Sequence, residues 1–236
     1  MMTVRKSKER GGADHGWLKS QHTFSFADYY DPANMGFGPL RVINEDYIAS
    51  ERGFGAHPHR DMEIITYVID GEVHHRDSMG NQGIIRPGEV QHMTAGTGVV
   101  HSEFSGKVPS DTHLLQIWIM PDRAGHKPGY GQKSFSDEIA AKPLVEVASP
   151  DGRNGSIAIH QDARLYVSRT KGPDTVAFEV APERRVWLQL VKGRMTVTGA
   201  DGAVEVAAGD GVAITHETRL KLNSKEPSEA LIFDLP

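Results

Sequence analysis

Short runs rich in valine, isoleucine, threonine and tyrosine recur along the whole chain, broken at intervals by glycine, proline, asparagine and aspartate, and long stretches of helical period are almost absent. This pattern predicts antiparallel strands closed into sandwiches or barrels. Strands are expected at Ile64–Ile69, Gly83–Ile85, Gln91–Thr94, His113–Met120, Ser156–Ile159, Thr175–Val180, Val186–Leu190, Met195–Thr198 and Ala230–Asp234. SMGN (Ser78–Asn81) and GADG (Gly199–Gly202) read as hairpin turns in which glycine supplies positive φ. The stretch Pro121–Ala141, rich in glycine, proline and charge, reads as a linker between two strand-dense halves. The expected domains are residues 1–131 and 132–236.

The halves resemble each other. YVIDGEVHHRDSMGNQGIIRPGEVQHMTAG in the first has a counterpart, LQLVKGRMTVTGADGAVEVAAGDGVAITHE, in the second. Gly71 precedes the Pro87-Gly88 turn by about the distance at which Gly193 precedes Ala208-Gly209. A hairpin module used twice is the simplest account; the alternative is the general likeness of any two hairpins with glycine turns.

Composition narrows the chemistry. A chain of 236 residues, 38% hydrophobic and 24% charged, forms one or two domains with a substantial core. Its longest nearly apolar run, Leu114–Met120, is far too short to span a bilayer, so no membrane crossing is expected. MMTVRKSKER is followed by no apolar signal segment, which makes the cytoplasm the expected location. With zero cysteines, disulfides, thiolate zinc sites and cysteine nucleophiles are excluded. Any metal must be held by nitrogen and oxygen. A net charge of -5 argues against direct nucleic-acid binding.

GAHPHRDMEIITYVIDGEV (Gly55–Val73) sets His57 and His59 two residues apart. In a strand such residues share a face, with Cα atoms roughly 6.5 to 7 Å apart, and Pro58 between them marks an edge or a barrel rim. His101 and Glu103 in AGTGVVHSEF repeat the spacing just after a glycine-rich turn. A lone HxH often marks only a surface strand. Two such pairs on neighbouring strands offer three nitrogens and one carboxylate to a single point, a common ligand set for a first-row divalent metal. His74 and His75 are adjacent, so at most one faces the interior. His92 and His113 read as hydrogen-bonded core or rim histidines. His15, His22, His126, His160 and His216 lack a partner at ligand spacing.

These residues resemble the cupin superfamily. GFGAHPHRDMEIITYVIDG carries its first motif, through His57, His59, Glu63 and Gly71, and RPGEVQHMTAGTGVVHSE its second, ending at His101 and Glu103. The match is closer to the pirin family, which HGWLKSQHTFSFADYYDP, HPHRDMEIITYVIDGEVHHRDSMGN, MTAGTGVVHSE, LQIWIMP and ERRVWLQLVKG resemble across essentially the whole chain. The resemblance implies an all-β bicupin: two double-stranded β-helix (jelly-roll) barrels, the N-terminal one carrying a metal centre. General cupins use the glutamate after HxH, here Glu63, whereas pirins use the one after the third histidine, here Glu103. The family match favours Glu103. Glu63 is the alternative ligand, or an acceptor for a ligand histidine N–H. Counting back from Gly193 as His57 lies from Gly71 reaches Glu179 in FEVAP, which has no histidine, so the second barrel is expected to carry no site.

The resemblance also implies activity. One divalent ion is expected, Fe(II) first, with copper, nickel, cobalt, manganese or zinc open on ligand chemistry alone. Bacterial members are described as quercetin 2,3-dioxygenases, which cleave flavonols with O2 and release carbon monoxide; Glu103 would be the catalytic base that accepts the flavonol proton. The alternative is an iron-dependent regulatory or redox-sensing protein, as eukaryotic pirins are described. Phe37, Phe54 and Met93 are candidates to line an aromatic pocket or to pack as rim and core. The expected partners are a small aromatic substrate and O2, and the expected state is a monomer.

Overall fold

The computed structural model describes residues 1–236, and its elements are almost all strands, in two compact units. The first, Gly11–Ser136 with Ile159–Gln161, is the N-terminal barrel. Its strands are β2 (Gly11–Asp14), β3 (Leu18–His22), β4 (Leu40–Ile48), β5 (Gly53–His59), β6 (Glu63–Asp70), β7 (Val73–Asp77), β8 (Gln82–Ile85), β9 (Glu89–Thr94), β10 (Val99–Ser105), β11 (Thr112–Ile119) and β12 (Gly129–Ser134), preceded in the chain by β1 (Met2–Arg5). They form a seven-stranded sheet, β12-β9-β6-β11-β4-β3-β2, and a four-stranded sheet, β5-β10-β7-β8. Strand alternation turns Ile64, Thr66 and Val68 of β6 to one face and Glu63, Ile65 and Tyr67 to the other. Apolar clusters close the interior at both ends: Leu18, Ile48, Val68 and Leu114 in one, Ile64, Met93 and Val99 in the other. Thr66 and Gln116 lie between them along β6 and β11.

The second unit, Met1–Arg10, Asp137–Ala158 and Asp162–Pro236, is the C-terminal barrel. It contains β1 with β13 (Leu144–Ser149), β14 (Ile157–Ala158), β15 (Arg164–Thr170), β16 (Asp174–Glu179), β17 (Arg185–Lys192), β18 (Arg194–Gly199), β19 (Gly202–Ala207), β20 (Gly211–Ile214), β21 (Arg219–Ser224) and β22 (Ser228–Leu235). Its sheets run β1-β20-β17-β22-β15-β13-β14 and β16-β21-β18-β19. This repeats the strand order of the N-terminal barrel position by position, with β1 in the place of β12. The turn glycines agree as well: Gly71 and Gly193 both have φ of 78°, and a Cβ on either would collide with a hydroxyl residue, Thr112 or Ser228. The two hairpins are one module used twice.

Three expectations need correction. The boundary at 131/132 falls inside β12, which pairs with β9 across Gly129–Ser134 and Glu89–Thr94. The expected linker Pro121–Ala141 therefore contains a strand, and a short helix, α1 (Ser136–Ala141), follows it. The first residues belong to the C-terminal barrel, where Met2–Arg5 pair with Gly211–Ile214. Ser156–Ile159 shortens to the two residues of β14. The other expected strands agree with the structure to within about two residues at each end. No helix is long and apolar enough to cross a membrane.

Candidate metal centre

The four-stranded sheet of the N-terminal barrel brings the histidine pairs together. β5 and β10 are antiparallel neighbours with His57 directly opposite His101, and a register shift between His101 and Glu103 bends the ladder beside the site. The ring nitrogens of His57, His59 and His101 lie within 4.8 Å of one another, and Nε2 of His57 is 3.0 Å from Nε2 of His101. Nδ1 of His57 lies 2.8 Å from the Gly55 carbonyl oxygen. Donation there places the proton on Nδ1 and leaves the Nε2 lone pair facing His101. Burial, then the neighbouring His57, lowers the His59 pKa to about 4. Burial, then repulsion from His57, His59 and His75, lowers that of His101 to about 3. Three ring nitrogens this close together, two of them on rings whose protonation burial disfavours, fit a divalent cation.

Glu103 is buried, and its carboxylate is held from the facing sheet: Thr66 donates to Oε1 at 3.0 Å and Gln116 donates to Oε2 at 2.6 Å. Burial outweighs these donors and pushes its pKa up to about 7, with Asp46 adding repulsion. Its oxygen lies within 4.8 Å of a ring nitrogen of both His101 and His75. The site is thus two overlapping triads that share His101. His75, directly across the ladder from Glu103, is the member sequence reasoning left open between it and His74. The structure turns His75 inward and buries it, while His74 stays exposed against Glu72.

Glu63 stands elsewhere. The chain leaves β5 at His59 and turns at Asp61, whose φ is 48°, so the shared face assumed for residues 57 to 63 breaks before β6 begins. On β6, Glu63 occupies the face opposite Thr66. Its fully buried carboxylate meets His92 Nε2 at 2.7 Å and accepts from the Thr94 hydroxyl at 3.1 Å and the His160 amide at 3.2 Å. Burial opposes ionisation there, but His92 and the other donors win and hold the pKa low. Glu63 is neither a ligand of this centre nor a partner of His57, His59 or His101. His92 is the hydrogen-bonded core histidine the sequence suggested, and His113 likewise meets Glu45 at 2.8 Å. His126 and His160, given no partner from spacing, meet with their rings tilted and their centroids 4.0 Å apart.

Beside the centre lies a cavity of ≈ 550 Å³. Its lining includes His57, His59, Glu103, Phe54, Phe26 and Trp118, together with Ser20, His22, Asn44, Asp46 and Gln116. Of the three expected aromatic or apolar lining residues only Phe54 is there. Met93 is fully buried against Ile64 and Val99, because its register opposite Ile64 turns it into the apolar cluster. Phe37 sits in a local bridge with Leu40, outside the cavity wall. Trp118, which packs edge-on to His59 at 4.9 Å, and Phe26 take their places.

Two jelly-roll barrels in one chain, with a histidine-rich centre beside an aromatic-lined cavity in the first, define a metal-type bicupin. The chain belongs to the pirin family: residues 3–119 match Pirin, and residues 146–235 match the quercetinase C-terminal cupin domain. It is 50% identical to quercetin 2,3-dioxygenase of Escherichia coli K12 over 100% of this chain and 99% of that protein. The crystal structure of the bacterial pirin YhhW from Escherichia coli in complex with nickel(II) matches with a TM-score of 0.93 at 48% identity, covering 100% of this chain and 99% of that one. Quercetin 2,3-dioxygenase from Acinetobacter baumannii, 18% identical with a TM-score of 0.75 over 99% of this chain and 78% of that one, shares the fold.

Proposed function

We propose that this chain is a metal-dependent dioxygenase that cleaves flavonols such as quercetin, incorporating O2 and releasing carbon monoxide. His57, His59, His101 and Glu103 would hold one divalent ion, Fe(II) in our assignment. The observation that carries this reading is the convergence of three imidazoles, those of His57, His59 and His101, beside a cavity lined by aromatic rings. A relative named for this activity and another seen with nickel(II) support it.

The bound ion supplies positive charge that favours an anionic oxygen and lowers the pKa of a hydroxyl presented to it. Glu103 receives the hydroxyl proton. Its carboxylate is fixed by Thr66 and Gln116, which hold it oriented to accept that proton. Phe26, Phe54 and Trp118 offer ring faces and edges to a planar substrate and keep water from the reacting oxygen. The protein works in the cytoplasm as a monomer, with a small aromatic substrate and O2 as its partners. The test is an aerobic assay of iron-, copper- and nickel-loaded protein with quercetin, following substrate loss and carbon monoxide. Turnover well above that of the free ions is expected. Activity no greater than that of the free ions, with every metal, would overturn the enzyme reading.

A further inference from the structure

β7 brings a second pair of buried polar groups up to His101. In its ladder with β10, His101 is opposite Asp77 and Glu103 is opposite His75, and strand alternation puts His75 and Asp77 on the same inward face. The side chains of both are fully buried. Asp77 is fixed by the turn into β8: its Oδ1 accepts from the Met79 and Asn81 amides at 2.9 and 3.0 Å, and its Oδ2 accepts from Asn81 Nδ2 at 2.9 Å. Nε2 of His75 lies 3.4 Å from that same Oδ2. An ionised carboxylate only accepts, so His75 carries its hydrogen on Nε2 and a lone pair on Nδ1. Tyr130 packs on the ring, with centroids 5.0 Å apart. Nδ1 of His75 is buried and has no hydrogen-bond partner.

His101 has the complementary need. Its Nε2 faces Nε2 of His57, so an ion held between them takes the Nε2 lone pair, and a neutral imidazole bound that way carries its hydrogen on Nδ1. Nδ1 of His101 is also buried without a hydrogen-bond partner. Left unpaired, each of these nitrogens costs the desolvation of a buried polar group. The His75 and His101 ring centroids lie 5.3 Å apart, and a ring nitrogen of His75 is within 4.8 Å of a ring nitrogen of His101 and of an oxygen of Glu103. Glu103 is itself engaged by Thr66 and Gln116. With His101 read as a metal ligand, on which this rests, we propose that His75 is a positioning residue of the metal centre. Its Nδ1 accepts the Nδ1–H of metal-bound His101, and Asp77 fixes the tautomer that lets it do so. Such a chain from carboxylate through imidazole to ligand holds the ligand ring in orientation and makes its Nε2 a more basic donor to the ion.

The test uses zinc(II), which is diamagnetic, with wild type, His75→Gln and His75→Asn. A glutamine amide reaches the Nε2 side of the imidazole it replaces and keeps a donor for Asp77, but places no acceptor where Nδ1 was. An asparagine amide places its oxygen there and gives up the contact with Asp77. In zinc-loaded wild type, the imidazole nitrogen resonances should show His75 protonated on Nε2, with its Nδ1 accepting a hydrogen bond. His75→Gln should raise the zinc dissociation constant, measured by chelator competition, by about 10–100-fold, and His75→Asn should recover most of that loss. A merely structural role as the partner of Asp77 predicts the reverse order. The reverse order, an equal loss in both variants, no loss in either, or a His75 ring protonated on Nδ1 overturns this inference alone. The tautomer is read on wild type, so it decides the matter if either substitution fails to fold. A wild type that binds neither zinc(II) nor nickel(II) overturns the metal-centre reading, and this inference with it.

Discussion

The two barrels share a strand order but not a filling. Ser105 lies opposite Val73 as Ser224 lies opposite Met195, and Val73 and Met195 each stand two residues after the matching turn glycine. From these anchors His75 corresponds to Val197, His101 to Leu220 and Glu103 to Leu222. Thr66 and Gln116, which hold Glu103, correspond to Leu188 and Ile232. All five counterparts are buried in one continuous apolar cluster. Glu179, the position reached by counting from Gly193, is exposed and pairs with Arg219 at 3.0 Å. The architecture therefore accepts either interior. An apolar filling is what burial alone favours, and the polar one persists in the barrel where the side chains converge on a point that can do chemistry.

That contrast can be broken at several places. The largest effect is expected from His101→Ala: loss of bound metal by elemental analysis and a fall in quercetin turnover beyond about 100-fold, since even residues that only orient ligands cost 10–100-fold. Leu220→Ala, its counterpart, should leave metal content unchanged, and a loss of metal there would undo the comparison. In the C-terminal barrel, Ile232→Ala should cost about 2–5 kcal/mol in denaturant unfolding through the cavity it opens, with metal content again unchanged.

Acidity separates the barrels next. In metal-free protein, Glu103 keeps its proton to about pH 7 when folded, against an ordinary value of 4.5. Between those values the folded state binds more protons, so stability falls as pH rises, by on the order of 3 kcal/mol in all. Unfolding of Glu103→Gln followed across pH 4 to 8 should lack this slope. Asp210 of the C-terminal barrel has the opposite sign. Burial opposes its ionisation, but the Ser7 and Ala207 amides and Lys6 outweigh it and hold the pKa below the ordinary 3.8. Its contribution is present above that value and is lost as pH falls through the folded pKa. Asp210→Ala should therefore destabilise by about 2 kcal/mol at neutral pH, with the difference from wild type vanishing in acid.

Where burial alone decides the residue types, the fold was legible. β6, β11, β17 and β22 read as strands from their valine, isoleucine and leucine, and the glycine turns of the repeat stood out. The strands that build the site were harder to see for the same reason that they matter: Asn44, Glu45 and Asp46 interrupt β4, and paired histidines interrupt β7. His57, His59 and His101 were visible as spaced pairs, because strand alternation is a local rule. Glu63 was not placed correctly, since the turn at Asp61 resets that alternation and no local pattern announces it. The place of His75 depends on cross-strand register, which arises only when distant segments pair. β12 was hidden in glycine, and the pairing of β1 could not be read from MTVR, whose partner lies near the other end of the chain.

That last pairing sets a timetable. Residues 2 to 5 leave the ribosome roughly 200 residues ahead of Gly211–Ile214, which at about 5–20 residues per second is a wait of roughly 10–40 s. All that the N-terminal barrel needs has been made by Gln161. His57, His59 and His101 can thus be assembled while β1 is still unpaired, waiting for a partner strand about 200 residues further along the chain.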